Sequence, residues 1–499
     1  MVRVIVLLLL FASVASCATF TNAINGDSDD EEFFSGCRNY FFQAKWRGQS
    51  VPFCPENEGL VLLPPSYPPG LVFLGYSPQP VHIQFLRELI EKLVEDTSRP
   101  QIAILIPRYE NAEVYRLFSK YLEPPYSDFV RFLPVPAEDA LWTQDYFEVA
   151  ISTISGRGTL IDLPYVSRQQ ESIPSAVALS CQMGMVAQEE LPKAKDYPGH
   201  GDFGGNIEPF PGNLIVAGNN LSATTQKVLD VNLSQDVVTV NTAWGEPGLA
   251  DELYSVLPYR RADKESCDFA VTYASPKRAL ELIKAEGSKQ SEFDISPAVP
   301  EGKDSIPVVD REDFSKCIEW IAHDKVSTAP SQLRKKCSEF IKANEAYSEI
   351  IESGLNEIVE SVKKRTSCNE IEPVPMPLLF APEKIKAKYG QWDDHAVSMN
   401  VNPVNVISIG SLVVIARQAF APFQTDVDEK LKSMGLDIHY IDGGFVHYLK
   451  GGIHSTSSVV RLCRPQPVKQ QDARKKSKVS PKGTQAQEES REPATSEQN

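Results

Sequence analysis

Three short stretches of the chain combine polar side chains with positions at the ends of strand-like runs. Trp142-Thr143-Gln144-Asp145-Tyr146-Phe147-Glu148 stands directly before the apolar Val149–Ile151. Gly201-Asp202-Phe203-Gly204-Gly205-Asn206-Ile207-Glu208 is followed farther along by Asp251-Glu252, just before Leu253. Gly451-Gly452-Ile453-His454-Ser455-Thr456 precedes the last strand-like run. Each stretch alone has a structural explanation, since aspartates at strand ends and paired glycines form turns, and Asp202 or Glu208 can cap a loop. Together they offer carboxylates, a hydroxyl and an aromatic ring for work on a polar substrate. Neither a Cys-x-x-Cys motif nor a paired-histidine spacing occurs, so the sequence shows no zinc or redox motif.

The elements around these stretches alternate. Leu60–Leu63 and Leu71–Leu74 are short apolar runs; Ile83, Leu86, Ile90, Leu93 and Val94 recur at helical spacing, and Ile102–Ile106 reads as a buried strand. The same succession returns at Asn213–Ala217, Ser222–Leu229 and Asp236–Val240, and again at Phe269–Ala274 and Pro276–Glu286. Near the C-terminus Val404–Ile407 and Leu412–Ala416 read as strands, and a helix opens at Thr425 and stops near Gly435. Such alternation defines an α/β fold. Gly287–Arg311 reads as a surface excursion, within an insertion over about 287–372. Ser331–Lys363 carries Leu333, Cys337, Phe340, Tyr347, Ile351, Ile358 and Val362 on one stripe, which suits packing on its own domain better than docking of a partner. From Pro465 to Asn499 there is no Leu, Ile, Met or aromatic residue, so residues 465–499 are expected to be a disordered tail.

The chain has 499 residues and a formal net charge of −16. So acidic a balance argues against nucleic acid as the main partner and is compatible with cationic substrates. No internal run approaches the ~20 apolar residues of a membrane span. Arg3, the apolar Val4–Phe11 and small residues up to Cys17 read as a signal peptide over 1–17, cleaved after Ala15 or Cys17, ahead of a lead segment at 18–58. Two sequons, Asn220-Leu221-Ser222 and Asn232-Leu233-Ser234, fit a secretory glycoprotein. Cys37, Cys54, Cys181, Cys267, Cys317, Cys337, Cys368 and Cys463 remain, an even set that suggests disulfides. Cys37 with Cys54, and Cys317 or Cys337 with Cys368, are the local candidates.

In this order the stretches resemble the guanidine-modifying enzymes, and most closely the catalytic domain of the protein-arginine deiminases. Asn402-Pro403-Val404-Asn405, Ala421-Pro422-Phe423, Leu436–Ile441 and Gly451–Arg461 match in one register. Trp142-Thr143-Gln144-Asp145 matches the family's tryptophan-x-glutamine-aspartate motif, and Phe203–Glu208 its Phe-Gly-Asn-x-Glu segment with one extra glycine. The resemblance covers roughly residues 60–463, within a propeller domain placed at 59–464. It implies a five-unit ββαβ propeller with the site on its central axis. It also implies that Asp145 and Asp251 grip a substrate guanidinium, with Trp142 beside the aliphatic stem. A guanidinium is planar and donates five hydrogen bonds in a fork, so two carboxylates orient it bidentately. In the family a cysteine thiolate attacks the central carbon while a histidine shuttles protons; ammonia leaves, and water releases citrulline. Calcium is required in animal members; Glu148 and Glu208 match two carboxylates of one of their sites, while Tyr146 replaces a third.

Two departures fall on the most reactive positions. Ser455 stands where the family has its nucleophilic cysteine, and Leu249 where it has the acid/base histidine. A serine depends on an adjacent base, and leucine offers none. His454 neighbours Ser455, but strand alternation would turn the two side chains to opposite faces. His200 lies outside the expected register. The expectation is a secreted deiminase-like protein that binds arginine-containing proteins or peptides without forming citrulline. The alternatives are an active protein-arginine deiminase with a rearranged nucleophile and base, and a structural secreted glycoprotein.

Overall fold

The computed structural model describes residues 51–465 except 97, 99, 138–139, 164–172, 188–199, 260–266, 287–310, 324–330 and 384–394. The signal peptide, most of the lead segment, nearly all of Gly287–Arg311 and the tail beyond Pro465 lie outside the described residues. Helices and sheets are mixed along the chain, as the α/β reading requires. Among the described residues, no helix is long and apolar enough to cross a membrane.

Among the described residues five sheets share one motif. A strand pairs antiparallel with a second, and the second pairs, after a helical crossover, with a parallel third. Ser457–Arg461, Pro69–Gly75 and Gln101–Pro107 do so around helix Pro80–Glu95. Phe147–Ser152, Gly158–Asp162 and Gly184–Val186 follow, with helix Ile173–Cys181. Next come Ile207–Phe210, Leu214–Gly218 and Asp236–Val240, with helix Ala223–Asn232. Tyr254–Pro258, Phe269–Ser275 and Pro373–Pro377 enclose three helices, Pro276–Glu286, Arg311–His323 and Ser331–Arg365. Ile407–Ile409, Leu412–Ala416 and Asp437–Ile441 complete the set around helix Ala421–Ser433. The reason is geometric: a parallel pair cannot be joined by a tight turn, and a helix spans the gap while covering one sheet face.

Burial of the helical stripes anchors each crossover. Leu86, Leu89, Ile90 and Leu93 are fully buried against Val72, Leu74, Ile102 and Ile104, each side chain contributing about 1.5–3 kcal/mol by leaving water. Ser222 caps helix Ala223–Asn232 by accepting from Thr225 N. The long helix Ser331–Arg365 buries Cys337, Phe340, Ile351, Ile358 and Val362 in its own body, and Tyr347 stacks on Trp244 at 4.6 Å. Its apolar stripe is therefore covered.

Three local expectations are corrected. Val404 and Val406 are buried but lie before the strand, which spans Ile407–Ile409, because Asn402 Oδ1 accepts from Val404 N and turns the chain there. The helix expected from Thr425 begins at Ala421, where Pro422 supplies a first-turn residue with no donor to satisfy. Among the described residues the disulfides are Cys54–Cys463, Cys267–Cys368 and Cys317–Cys337, and Cys181 is disulfide-bonded as well. Cys54 does not take the nearby Cys37, because the first and last described segments lie side by side: Phe53 bridges Arg464 next to the disulfide.

Candidate active site

The three polar stretches fold into short helical turns that pack on one another. Thr143–Tyr146 packs against both His454–Thr456 and Gly204–Asn206, and the latter packs against Ala250–Glu252. Close backbone approach makes this possible. A Cβ on Gly205 would lie 3.0 Å from both carboxylate oxygens of Asp251, and one on Gly452 would lie 1.9 Å from Asn405 Oδ1. Asn206 ties two turns together, donating to Gly201 O at 2.7 Å and accepting from Ala250 N at 3.0 Å. Asn220 extends that tie: its Nδ2 donates to Gly248 O at 2.9 Å and its Oδ1 accepts from Asn206 Nδ2 at 2.7 Å. The first sequon asparagine thus serves as an internal staple.

Asp145, Asp251 and Ser455 are buried at 6%, 2% and 3% exposure, and Asp145 Oδ1, Asp251 Oδ1 and Ser455 Oγ have no hydrogen-bond partner. Glu148, Glu208 and Glu252 are buried beside them. Trp142 is half-buried, with its ring against Gly451, where a Cβ would lie 2.4 Å from the indole. Burial raises all five carboxyl groups above their ordinary range. The Asp251 charge pushes Asp145 and Glu148 up further, and Glu208 and Glu252 reach about 8. Hydrogen bonds from His454 and Asn405 oppose the rise at Asp251. Arg461 donates to Ser408 O, Tyr67 O and Pro65 O; burial lowers it to about 10, against the pull of Glu208.

The structure corrects the expectation for His454. Residues 454–456 form a tight helical turn rather than a strand, so alternation does not apply, and the ring faces the carboxylates. His454 Nδ1 lies 3.2 Å from Asp251 Oδ2 and 3.8 Å from Glu208 Oε1. Burial draws the imidazole pKa down, but Glu208 and Asp251 outweigh this and raise it. Sequence reasoning also gave no role to Asn405, whose Nδ2 donates to Asp251 Oδ2 at 2.7 Å and whose Oδ1 accepts from His454 N at 2.8 Å. Asn402 Nδ2 likewise donates to Glu252 Oε2 and O, both at 2.8 Å. Two asparagines three apart in a Pro-containing turn were the available signal. Asp202 has the bland role, accepting from Ser222 N at 2.7 Å. Leu249 is buried at the head of the Ala250–Glu252 turn and places an apolar side chain there. The side chain of His200 lies outside the described residues.

Residues 127–466 match the family described as Protein-arginine deiminase (PAD), and the chain belongs to that family. Its members and their relatives are hydrolases of amidine C–N bonds, and the family points to a guanidino-containing substrate. No curated protein matches the chain significantly. Solved structures similar to it include a C. jejuni agmatine deiminase, at 9% identity and a TM-score of 0.44, covering 83% of this chain and 99% of that one. An Enterococcus faecalis agmatine deiminase is similar at 10% identity and a TM-score of 0.46, covering 83% of this chain and 99% of the other.

Proposed function

We propose that this protein captures the guanidinium of arginine in proteins or peptides between Asp145 and Asp251, without turning it into citrulline. The observation that carries the reading is the pair of buried aspartates, close enough for one charge to act on the other and each with an oxygen that has no hydrogen-bond partner. A cationic fork would supply those bonds and offset the repulsion. Trp142 would flank the aliphatic stem. Turnover fails in this reading because Ser455 lacks a thiolate's reactivity and Leu249 cannot move a proton. The five repeated strand–strand–helix–strand motifs support a five-unit propeller with this site on its axis.

The oxygen set suits calcium. Gln144 Oε1 and Glu148 Oε1 are buried without partners, and Glu208 lies beside Gln144 at 3.0 Å. These three residues would hold the ion, whose charge would help keep the neighbouring carboxylates ionised. We also infer a secretory route from the signal peptide and the disulfides, with a glycan on Asn232 rather than on the staple Asn220.

A second reading is favoured by one contact. The Asp251–His454 pair could orient an imidazole to serve Ser455 as base, giving an active deiminase. The test is citrulline formation from an arginine peptide, with and without calcium, alongside calorimetric binding of the same peptide. Binding that is lost in Asp145→Ala, with no citrulline, supports capture. Calcium-stimulated turnover that Ser455→Ala abolishes overturns it and establishes serine as a working nucleophile.

A further inference from the structure

Glu208, Asp251 and His454 each offer one ligand atom, and these atoms lie within 4.8 Å of one another. The separations from His454 Nδ1 are 3.2 Å to Asp251 Oδ2 and 3.8 Å to Glu208 Oε1. Zinc-sized ions bind imidazole nitrogen and carboxylate oxygen at about 2.0–2.2 Å, and tetrahedral angles then set ligand atoms roughly 3.3–3.6 Å apart. The two observed separations bracket that interval. We propose that Glu208, Asp251 and His454 form a binding site for one divalent transition-metal ion of the zinc type, and that this ion excludes a guanidinium from Asp251.

Outer contacts already orient the three ligands. Asn405 Nδ2 holds Asp251 Oδ2 at 2.7 Å, Asn405 Oδ1 fixes the His454 backbone at 2.8 Å, and Gln144 Nε2 holds Glu208 Oε1 at 3.0 Å. Metal-ligating side chains are characteristically braced in this way. The surroundings call for positive charge: Asp145, Glu148 and Glu252 are buried nearby, against His454 and Arg461 as the cations whose fields reach Glu208. Asp251 Oδ1 and Ser455 Oγ, both buried, have no hydrogen-bond partner. An imidazole among the ligands selects zinc-like ions over calcium, which prefers oxygen throughout. Three protein ligands leave a fourth position open, as in exchangeable rather than purely structural zinc sites.

Exclusion of guanidinium follows from shared use of Asp251, and only this half rests on the capture reading. The full-length protein is stripped with EDTA and titrated calorimetrically with Zn2+, and separately with Co2+ while visible absorption is recorded. One equivalent should bind, with the intense absorption of four-coordinate Co2+. His454→Ala and the isosteric Glu208→Gln should each weaken Zn2+ binding at least about tenfold, equivalent to ~1.4 kcal/mol. His439→Ala, a histidine outside the site, should leave it unchanged. Circular dichroism confirms that each variant is folded. No stoichiometric uptake by the parent protein, or uptake indifferent to both site substitutions, overturns the proposal and leaves only an ion pair. The EDTA is dialysed away, and arginine-peptide affinity is measured with and without calcium, before and after one equivalent of Zn2+. Affinity absent from the start refutes capture while zinc uptake still stands; affinity present and unchanged by bound zinc refutes the exclusion.

Discussion

Replacing Asn405 by leucine should weaken arginine-peptide binding near neutral pH, and the size of the loss can be worked from two contacts. Asn405 Nδ2 donates to Asp251 Oδ2 at 2.7 Å, and Oδ1 accepts from His454 N at 2.8 Å. Leucine keeps the approximate volume and removes both. A hydrogen bond to a charged group contributes about 1.5–3 kcal/mol. At ~1.4 kcal/mol per decade, that is roughly 10- to 150-fold in the ratio of ionised to protonated Asp251. Guanidinium pairs with the ionised form, so affinity should fall by up to that factor, the full loss being reached where both proteins are mainly protonated at Asp251. The sign follows from the environment: burial raises Asp251, Asn405 lowers it, and removing Asn405 moves it farther up. The gap between parent and variant should therefore narrow as pH rises and both proteins ionise. Calorimetric titration with an arginine peptide between about pH 6.5 and 9 measures this, with a citrulline peptide as the uncharged control. Equal affinities throughout, or a gap that widens with pH, would refute the assignment of Asn405 as the group holding Asp251 ionised.

Glu252 is raised from 4.5 to about 8, so its stabilising contribution is complete below its unfolded pKa and is lost as pH rises through about 8. Glu252→Gln should thus gain melting temperature relative to the parent as pH goes from 5 to 8.5; parallel curves would show that the carboxyl is not strained by burial. Gly452→Ala puts a Cβ 1.9 Å from Asn405 Oδ1, so a loss of about 1–3 kcal/mol is expected in denaturant unfolding, together with weaker peptide binding. Ser455→Cys alone should form almost no citrulline, whereas Ser455→Cys with Leu249→His should form it detectably, because nucleophile and base act as a unit. The Cys54–Cys463 disulfide spans 409 residues against 20 for Cys317–Cys337. Replacing the first pair with serines should cost more stability within the usual ~2–5 kcal/mol, an order that thermal melting of the two double variants would check.

Periodicity read along the chain missed Val130–Val135, Tyr254–Pro258 and helix Ile173–Cys181. It located several buried strands, such as Pro69–Gly75, Gln101–Pro107 and Leu412–Ala416, and the helices that cover them, because core burial imposes spacings of 2 and 3.6 that local sequence must obey. The long helix Ser331–Arg365 and the capped helix after Ser222 were legible for that reason. Motif spacing likewise marked the stretches carrying Asp145, Asp251 and Ser455, since turn residues and glycines record where the backbone must bend or approach closely. What the tertiary structure alone decided is which groups meet. His454 faces Asp251 because its residue sits in a helical turn, a conformation that strand alternation does not describe. Asn405 reaches Asp251 across 154 positions, and Cys54 reaches Cys463 across 409. Contacts of that range depend on how the sheets pack together, and no local spacing in the chain encodes them. The same holds for the raised carboxyl groups: each is an ordinary aspartate or glutamate in sequence, and becomes reluctant to ionise only when packing removes water and places other carboxylates beside it.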